Sequence, residues 1–206
     1  MKTITDIKPQ TKNNKRVSIY LDGAYYCGME LFTVMKYRLK VGNTYTEEEI
    51  INIQITEEKN SAFDYALNVL SKSVKTEKEI RLKLSKRGYL EEIIEETIIK
   101  LKSYGYVNDE EYATRYVNTY SKNKGKRLLK NELKIKGVDD SVLKEVDNIV
   151  DNEIETAIKI AEKYVKNKPN DIKTLQKCYK YLLSKGFTYE DSKSASEKVL
   201  NLQTEY

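Results

Sequence analysis

The sequence predicts a mainly α-helical protein. We expect three tandem three-helix repeats with a 49-residue period, forming an elongated curved array, preceded by a small N-terminal module that contains a β-hairpin. Three observations predict this. Gly88, Gly137 and Gly186 stand 49 residues apart, and Leu84, Leu133 and Leu182, then Ile80, Leu129 and Cys178, then Leu101, Val150 and Val199 recur at the same spacing. Gap-free recurrence over three copies marks stacked helical units, each of which buries its apolar face against its neighbours. Helix-start signals are scattered along the chain after residue 45, while strand-like runs are confined to the part before it.

The N-terminal module comes first. Arg16-Val17-Ser18-Ile19-Tyr20-Leu21 and Ala24-Tyr25-Tyr26-Cys27-Gly28-Met29 flank Asp22-Gly23, a two-residue type I′ turn signal. Ile4 and Ile7 predict a third strand, Glu30 to Tyr37 a short helix, and Leu39 to Gly42 a turn or small strand. Thr46-Glu47-Glu48-Glu49 is a capping box that opens a helix. Ser61 to Leu70 places Ala62, Phe63, Ala66, Leu67 and Leu70 along one face, as the first helix of the first repeat. A second capping box, Thr76-Glu77-Lys78-Glu79, starts a helix that ends at Gly88, and the next helix turns Ile94, Thr97, Ile98 and Leu101 inward. Asn108-Asp109-Glu110-Glu111 opens the second repeat, whose middle helix stops at Gly137 and whose last helix spans Asp139 to Val150. The third repeat opens near Glu153, breaks at Lys168-Pro169-Asn170, stops its middle helix at Gly186 and caps its last helix with Thr188. The expected division is 1–60, 61–107, 108–152 and 153–206.

Charge is sorted by helix. From Lys122 to Gly137 there are seven Lys or Arg residues and one acid, Glu132; from Val138 to Glu155 there is one Lys and seven acids. Middle helices are basic and third helices acidic in each repeat, so stacking them in register lays a broken basic stripe along the array. Binding residues expected on that stripe are Arg81, Lys83, Arg87, Lys122, Lys124, Lys126, Arg127, Lys130 and Lys134. The net charge of +5 is modest for a protein whose main task is gripping nucleic acid. Seventeen tyrosines accompany these charges. Tyr112 and Tyr116 replace Phe63 and Leu67 of the preceding repeat and are expected in the core, whereas Tyr120, Tyr164 and Tyr179 lie nearer the basic residues, as contact candidates.

Catalysis finds little support. The chain contains no histidine, which removes the usual general base and the commonest metal ligand. Lys124-Gly125-Lys126-Arg127 lacks the first glycine and the hydroxyl of a phosphate loop, and the two cysteines, Cys27 and Cys178, are isolated. No apolar run approaches a membrane span and no signal-peptide core begins the chain. The expectation is a cytoplasmic, monomeric binding protein without catalytic residues, metal or cofactor.

Tyr104-Gly105-Tyr106-Val107-Asn108-Asp109-Glu110-Glu111-Tyr112-Ala113, followed by Gly125-Lys126-Arg127-Leu128 and Glu132-Leu133-Lys134-Ile135-Lys136-Gly137, resembles the RecX family of recombinase regulators. Ala66-Leu67-Asn68-Val69-Leu70, Lys78-Glu79-Ile80-Arg81 and the N-terminal hairpin fit the same pattern, while Lys72-Ser73 departs from the arginine common there. The resemblance implies binding to RecA, mainly as its filament on single-stranded DNA, and modulation, usually inhibition, of RecA ATPase, strand exchange and coprotease activities. The rival expectation is a helical repeat protein that acts on DNA without RecA.

Overall fold

Strands β1 (Lys2–Gln10), β2 (Asn13–Leu21) and β3 (Ala24–Glu30) precede a short helix α1 (Leu31–Lys36) and a two-residue strand β4 (Thr44–Tyr45). The computed structural model describes residues 1–10, 13–150 and 152–202; Asp151, one of the acids counted above, lies outside them. The sheet order is β3-β2-β1-β4, all antiparallel. Asp22 and Gly23 both have positive φ, 49° and 88°, as a type I′ turn requires. The Asp22 carboxylate accepts the Thr3 N–H at 2.9 Å and so ties the turn back to β1. Ile4, Val17, Ile19, Leu21 and Met29 bury one face of the sheet with Val34, Leu39 and Ile50. Residues 39–43 form a turn, and the small strand follows it at Thr44.

Nine further helices follow among the described residues: α2 (Glu47–Lys72), α3 (Glu77–Lys86), α4 (Glu91–Ser103), α5 (Asp109–Tyr120), α6 (Lys126–Ile135), α7 (Asp140–Ile149), α8 (Glu153–Val165), α9 (Ile172–Ser184) and α10 (Tyr189–Leu200). The capping box at Thr46 is closed in both directions, Glu49 N–H to Thr46 Oγ1 at 3.1 Å and Thr46 N–H to Glu49 Oε2 at 2.7 Å. The sequence reading separates a helix starting there from one over 61–70. The structure has a single 26-residue helix, because no Gly or Pro interrupts the run from Glu47 to Lys72.

The three-helix units α2–α4, α5–α7 and α8–α10 repeat the same burial. Leu84, Leu133 and Leu182 are fully buried, as are Ile80, Leu129 and Cys178. Ala113, Val117, Leu129, Leu133, Val138, Leu143, Val146 and Val150 form the core of the second unit, and Ala157, Ile160, Ala161, Cys178, Leu182, Phe187 and Ala195 that of the third. Three apolar residues of the middle helices stay outside: Leu82 is 53%, Ile135 76% and Ile172 63% exposed. By contact, the chain divides into two compact units, Met1–Asn68 with Leu84–Thr97, and Val69–Lys83 with the chain from Ile98 onward.

Candidate binding surface on the middle helices

A helix leaves its first N–H and last C=O groups without intrahelical partners, and the middle helices satisfy theirs on one another. α6 begins at Gly125, whose side chain offers no cap. Gly125 N–H donates instead to Lys185 O at 2.9 Å, and Arg127 N–H to Gly186 O at 3.2 Å, both carbonyls just past α9. Lys126 N–H donates to Glu153 Oε1 at 2.7 Å. One repeat earlier, Thr76 Oγ1 donates to Lys136 O at 2.7 Å and Lys78 Nζ to Ile135 O at 3.1 Å, at the end of α6, while Glu77 N–H donates to Asp109 Oδ1 at 2.9 Å. Thr76, Glu77 and Lys78 stand 49 residues before Gly125, Lys126 and Arg127, so the same joint is built twice. The C-terminus of α9 meets the N-terminus of α6, and the C-terminus of α6 meets the N-terminus of α3. That arrangement aligns their dipoles favourably.

The joint explains the Lys-Gly ends of the middle helices. Gly186 has φ +90°, and a Cβ there would lie 2.3 Å from Leu128 Cβ. A Cβ on Gly125 would lie 2.5 Å from the Gly186 carbonyl carbon. Gly186 needs glycine for its positive φ as well as for close approach, and Gly125 for close approach alone.

The expected binding residues fall into distinct settings. Lys126, Lys130 and Lys134 share a face of α6 that looks toward acidic α7. Lys130 Nζ meets Asp147 Oδ2 at 2.5 Å, Lys134 Nζ meets Asp140 Oδ1 at 3.3 Å, and Lys126 Nζ reaches Asp147 O at 3.3 Å. Much of the basic–acidic sorting therefore closes within the repeat. Arg127 donates to Leu183 O at 3.1 Å and lies 5.9 Å over the Tyr189 ring. Arg81 pairs with Glu77 at 2.7 Å. Arg87 sits over Tyr65 at 4.6 Å, in the unit that holds the N-terminal sheet. Lys83 and Lys122 are exposed and form no ion pair within 4.0 Å among the described residues.

Lys124 belongs to a seam between α5 and α6. Its Nζ meets both oxygens of Glu132 at 2.7 Å and lies 4.7 Å over the Tyr120 ring. Tyr116 OH donates to Glu132 Oε2 at 2.7 Å, and the rings of Tyr116 and Tyr120 pack 4.6 Å apart. Burial pulls the Glu132 carboxyl upward, but Lys124 and the Tyr116 hydroxyl outweigh it and hold the group below its ordinary value. Burial first, then the Glu132 carboxylate, pushes the Tyr116 hydroxyl well up. Tyr112 and Tyr116, expected in the core, are half-buried and pack against it, and Tyr120 is 41% exposed but engaged.

The third repeat holds charge beyond the nine residues expected on the stripe. Between Lys159 and Lys185 the chain has eight lysines and two acids, Glu162 and Asp171. Most of these lysines lie exposed on α8, the following loop and α9. The same counting that found the α6 stretch finds this one. Among the described residues no three His, Cys, Asp or Glu side chains gather as a metal site requires, and no helix is long and apolar enough to cross a membrane.

Comparison with known proteins covers nearly the whole chain. Residues 2–45 match the regulatory protein RecX N-terminal domain, and 62–101, 108–146 and 151–195 match the first, second and third three-helix domains of RecX. A regulatory protein RecX of Bacillus licheniformis is 35% identical over 196 residues, covering 92% of this chain and 74% of the relative. One from Clostridium perfringens (strain SM101) is 34% identical over 207 residues, 98% of each chain. A crystal structure of regulatory protein RecX superposes with a TM-score of 0.65 at 27% identity, over 98% of this chain and all of that one. RecX from Lactobacillus salivarius superposes with a TM-score of 0.63 at 28% identity, over 71% of this chain and 99% of the other.

Proposed function

Because the chain belongs to the RecX family of regulatory proteins, we propose that it binds RecA and its filament on single-stranded DNA and modulates, mainly inhibits, RecA ATPase, recombinase and coprotease activities. The observation that carries this reading is coverage: all four family domains occur in order from residue 2 to residue 195. The protein acts as a cytoplasmic monomer without a catalytic step of its own. Its repeats lie across adjacent RecA subunits, and basic side chains meet acidic protein surface or phosphate. Bridging subunits in this way hinders the movement that accompanies ATP turnover.

Within the nine candidate residues, the intrachain contacts divide the labour. Lys124, Lys126, Lys130 and Lys134 hold α5, α6 and α7 together, and Arg127 ties α6 to the end of α9. Lys83 and Lys122 are the exposed charges left to a partner, and Lys83→Glu with Lys122→Glu separates binding from folding. The test is fluorescence anisotropy of the labelled chain. It is titrated with RecA filaments on single-stranded DNA held by a non-hydrolysable ATP analogue, and in parallel with the bare DNA. The expected result is much tighter binding to the filament, weakened roughly fivefold by the double reversal at unchanged thermal stability. Equal or tighter binding to bare DNA, falling steeply with salt, would instead identify a DNA-binding protein that acts without RecA.

A further inference from the structure

Between α9 and α10 lies a cavity of about 280 Å³, lined by Leu175, Gln176, Tyr179, Tyr189, Glu190 and Lys193 among others. Leu175 is buried, and Tyr189 is 65% exposed. Ile172, Gln176 and Tyr179 recur at helical spacing on α9, so the 63%-exposed Ile172 extends the apolar strip beyond the cavity. Glu190 and Lys193 contribute one charge of each sign. The net charge of the surroundings comes from the adjacent row on α9, Lys173, Lys177 and Lys180.

That row differs from its counterpart on α6. Lys130 and Lys134 meet Asp147 and Asp140, whereas Lys173, Lys177 and Lys180 have no carboxylate within 4.0 Å among the described residues. Asp171 feels Lys173 and Lys177 at longer range, but its carboxylate is engaged by the Thr174 N–H at 2.6 Å, the first cause of its lowered pKa. A hollow with apolar walls beside an uncompensated row of lysines is complementary to an acidic segment bearing an apolar anchor.

The aromatic rings next to this surface favour protein over nucleic acid as the occupant. Tyr164 and Tyr181 stack on each other at 4.5 Å and 19°, and Lys168 and Lys185 lie over those rings at 2.9 and 5.3 Å. Their faces are occupied, so they offer no platform on which successive bases could stack. Tyr179 and Tyr189 line a hollow suited to one side chain, and the Arg127 guanidinium, 5.9 Å over the Tyr189 ring, adds a further positive charge beside it.

We propose that the α9–α10 groove is a docking site for an acidic protein segment. That segment inserts one aromatic or leucine side chain against Tyr179 and Tyr189 and lays its carboxylates along Lys173, Lys177 and Lys180. This deepens the proposed function by naming the chemistry of the partner segment, and it rests on that reading only for the partner being a protein.

The test does not use RecA, so the two readings fail separately. A random display library of short peptides is panned on the full chain and counter-panned on the Lys173→Glu, Lys177→Glu, Lys180→Glu variant. All three lysines are exposed, and circular dichroism checks that the variant folds. Recovered sequences are expected to be rich in Asp and Glu around a Trp, Phe or Leu. The synthesised consensus peptide is expected to bind the triple variant roughly tenfold more weakly than the unmodified chain, from three exposed pairs turned repulsive. It binds Tyr189→Ala more weakly as well, and loses affinity when its apolar anchor is replaced by Ala. Recovery without acidic enrichment, equal affinity for the triple variant, or indifference to loss of the anchor would overturn the proposal. Tighter binding of oligothymidine than of the peptide, abolished by the triple variant, would overturn it in favour of a nucleic-acid surface.

Discussion

Alanine at Gly125 tests the joint between middle helices directly. Gly125 has φ −78°, so its backbone suits any residue. The obstacle is contact: a Cβ would stand 2.5 Å from the carbonyl carbon and oxygen of Gly186 and 2.6 Å from Phe187 N. Those atoms are backbone and form the peptide group whose carbonyl accepts the Arg127 N–H, so relief of the clash also breaks that hydrogen bond. Overpacking of this kind costs about 1–3 kcal/mol, and Ala is poorer than Gly at an N-cap by about 1 kcal/mol. The expected loss is therefore roughly 2–4 kcal/mol. Two controls isolate the contact. Gly125→Ser restores a capping side chain but keeps the Cβ, and should still lose about 1–3 kcal/mol. Gly88→Ala meets nothing within 4 Å and carries only the strain of φ +92°, about 1–2 kcal/mol. Urea unfolding followed by far-ultraviolet circular dichroism reads these differences as midpoint shifts, on the order of 1 M for Gly125→Ala. A Gly125→Ser variant as stable as the parent would refute the close packing of α6 on α9.

Glu132→Gln removes the carboxylate that accepts from Tyr116 and Lys124 and leaves a half-buried ammonium without its counter-charge, which should cost about 1–3 kcal/mol in thermal unfolding. The same carboxylate, with Glu77 and Glu79, has a folded pKa below the ordinary 4.5. Its stabilisation is thus complete above that value and is lost as pH falls through the depressed folded value. Melting temperature should fall on acidification below about pH 4.5, and more gently in Glu132→Gln than in the parent. Thr76→Val removes both the cap on Glu79 N–H and the hydroxyl donated to Lys136 O, so it should destabilise by about 2 kcal/mol while Thr76→Ser does not, by the same unfolding measurement.

The parts legible in the sequence are those set by local pattern. Leu84, Leu133 and Leu182 could be aligned because burial at a fixed turn of a helix leaves the same residue class at the same period. Asp22-Gly23 was legible because a type I′ turn needs positive φ twice, and the capping boxes because each closes within four residues. Gly125 read only as one residue of a basic stretch, since a close backbone approach at ordinary φ leaves no signal beyond small size. Which lysines are neutralised was also hidden, because α6 and α7 settle that by packing and not by order along the chain.

Sorted charge alone is a poor guide to a binding surface, and the two later repeats show why. In the second, the acids of α7 face the lysines of α6, so Asp147 and Asp140 take up Lys130 and Lys134 and the pattern stabilises the repeat itself. The third has the same alternation in sequence, yet Lys173, Lys177 and Lys180 pair with no carboxylate of α10 within 4.0 Å among the described residues. Asp191 accepts from the Thr188 hydroxyl at 2.8 Å as part of the helix cap, and Glu197 pairs with Lys193 of its own helix at 4.0 Å. The lysines of α9 are left facing solvent beside an apolar hollow. A pattern kept for internal pairing would use its acids alike in both repeats; the difference is what singles out α9 as a surface turned toward a partner.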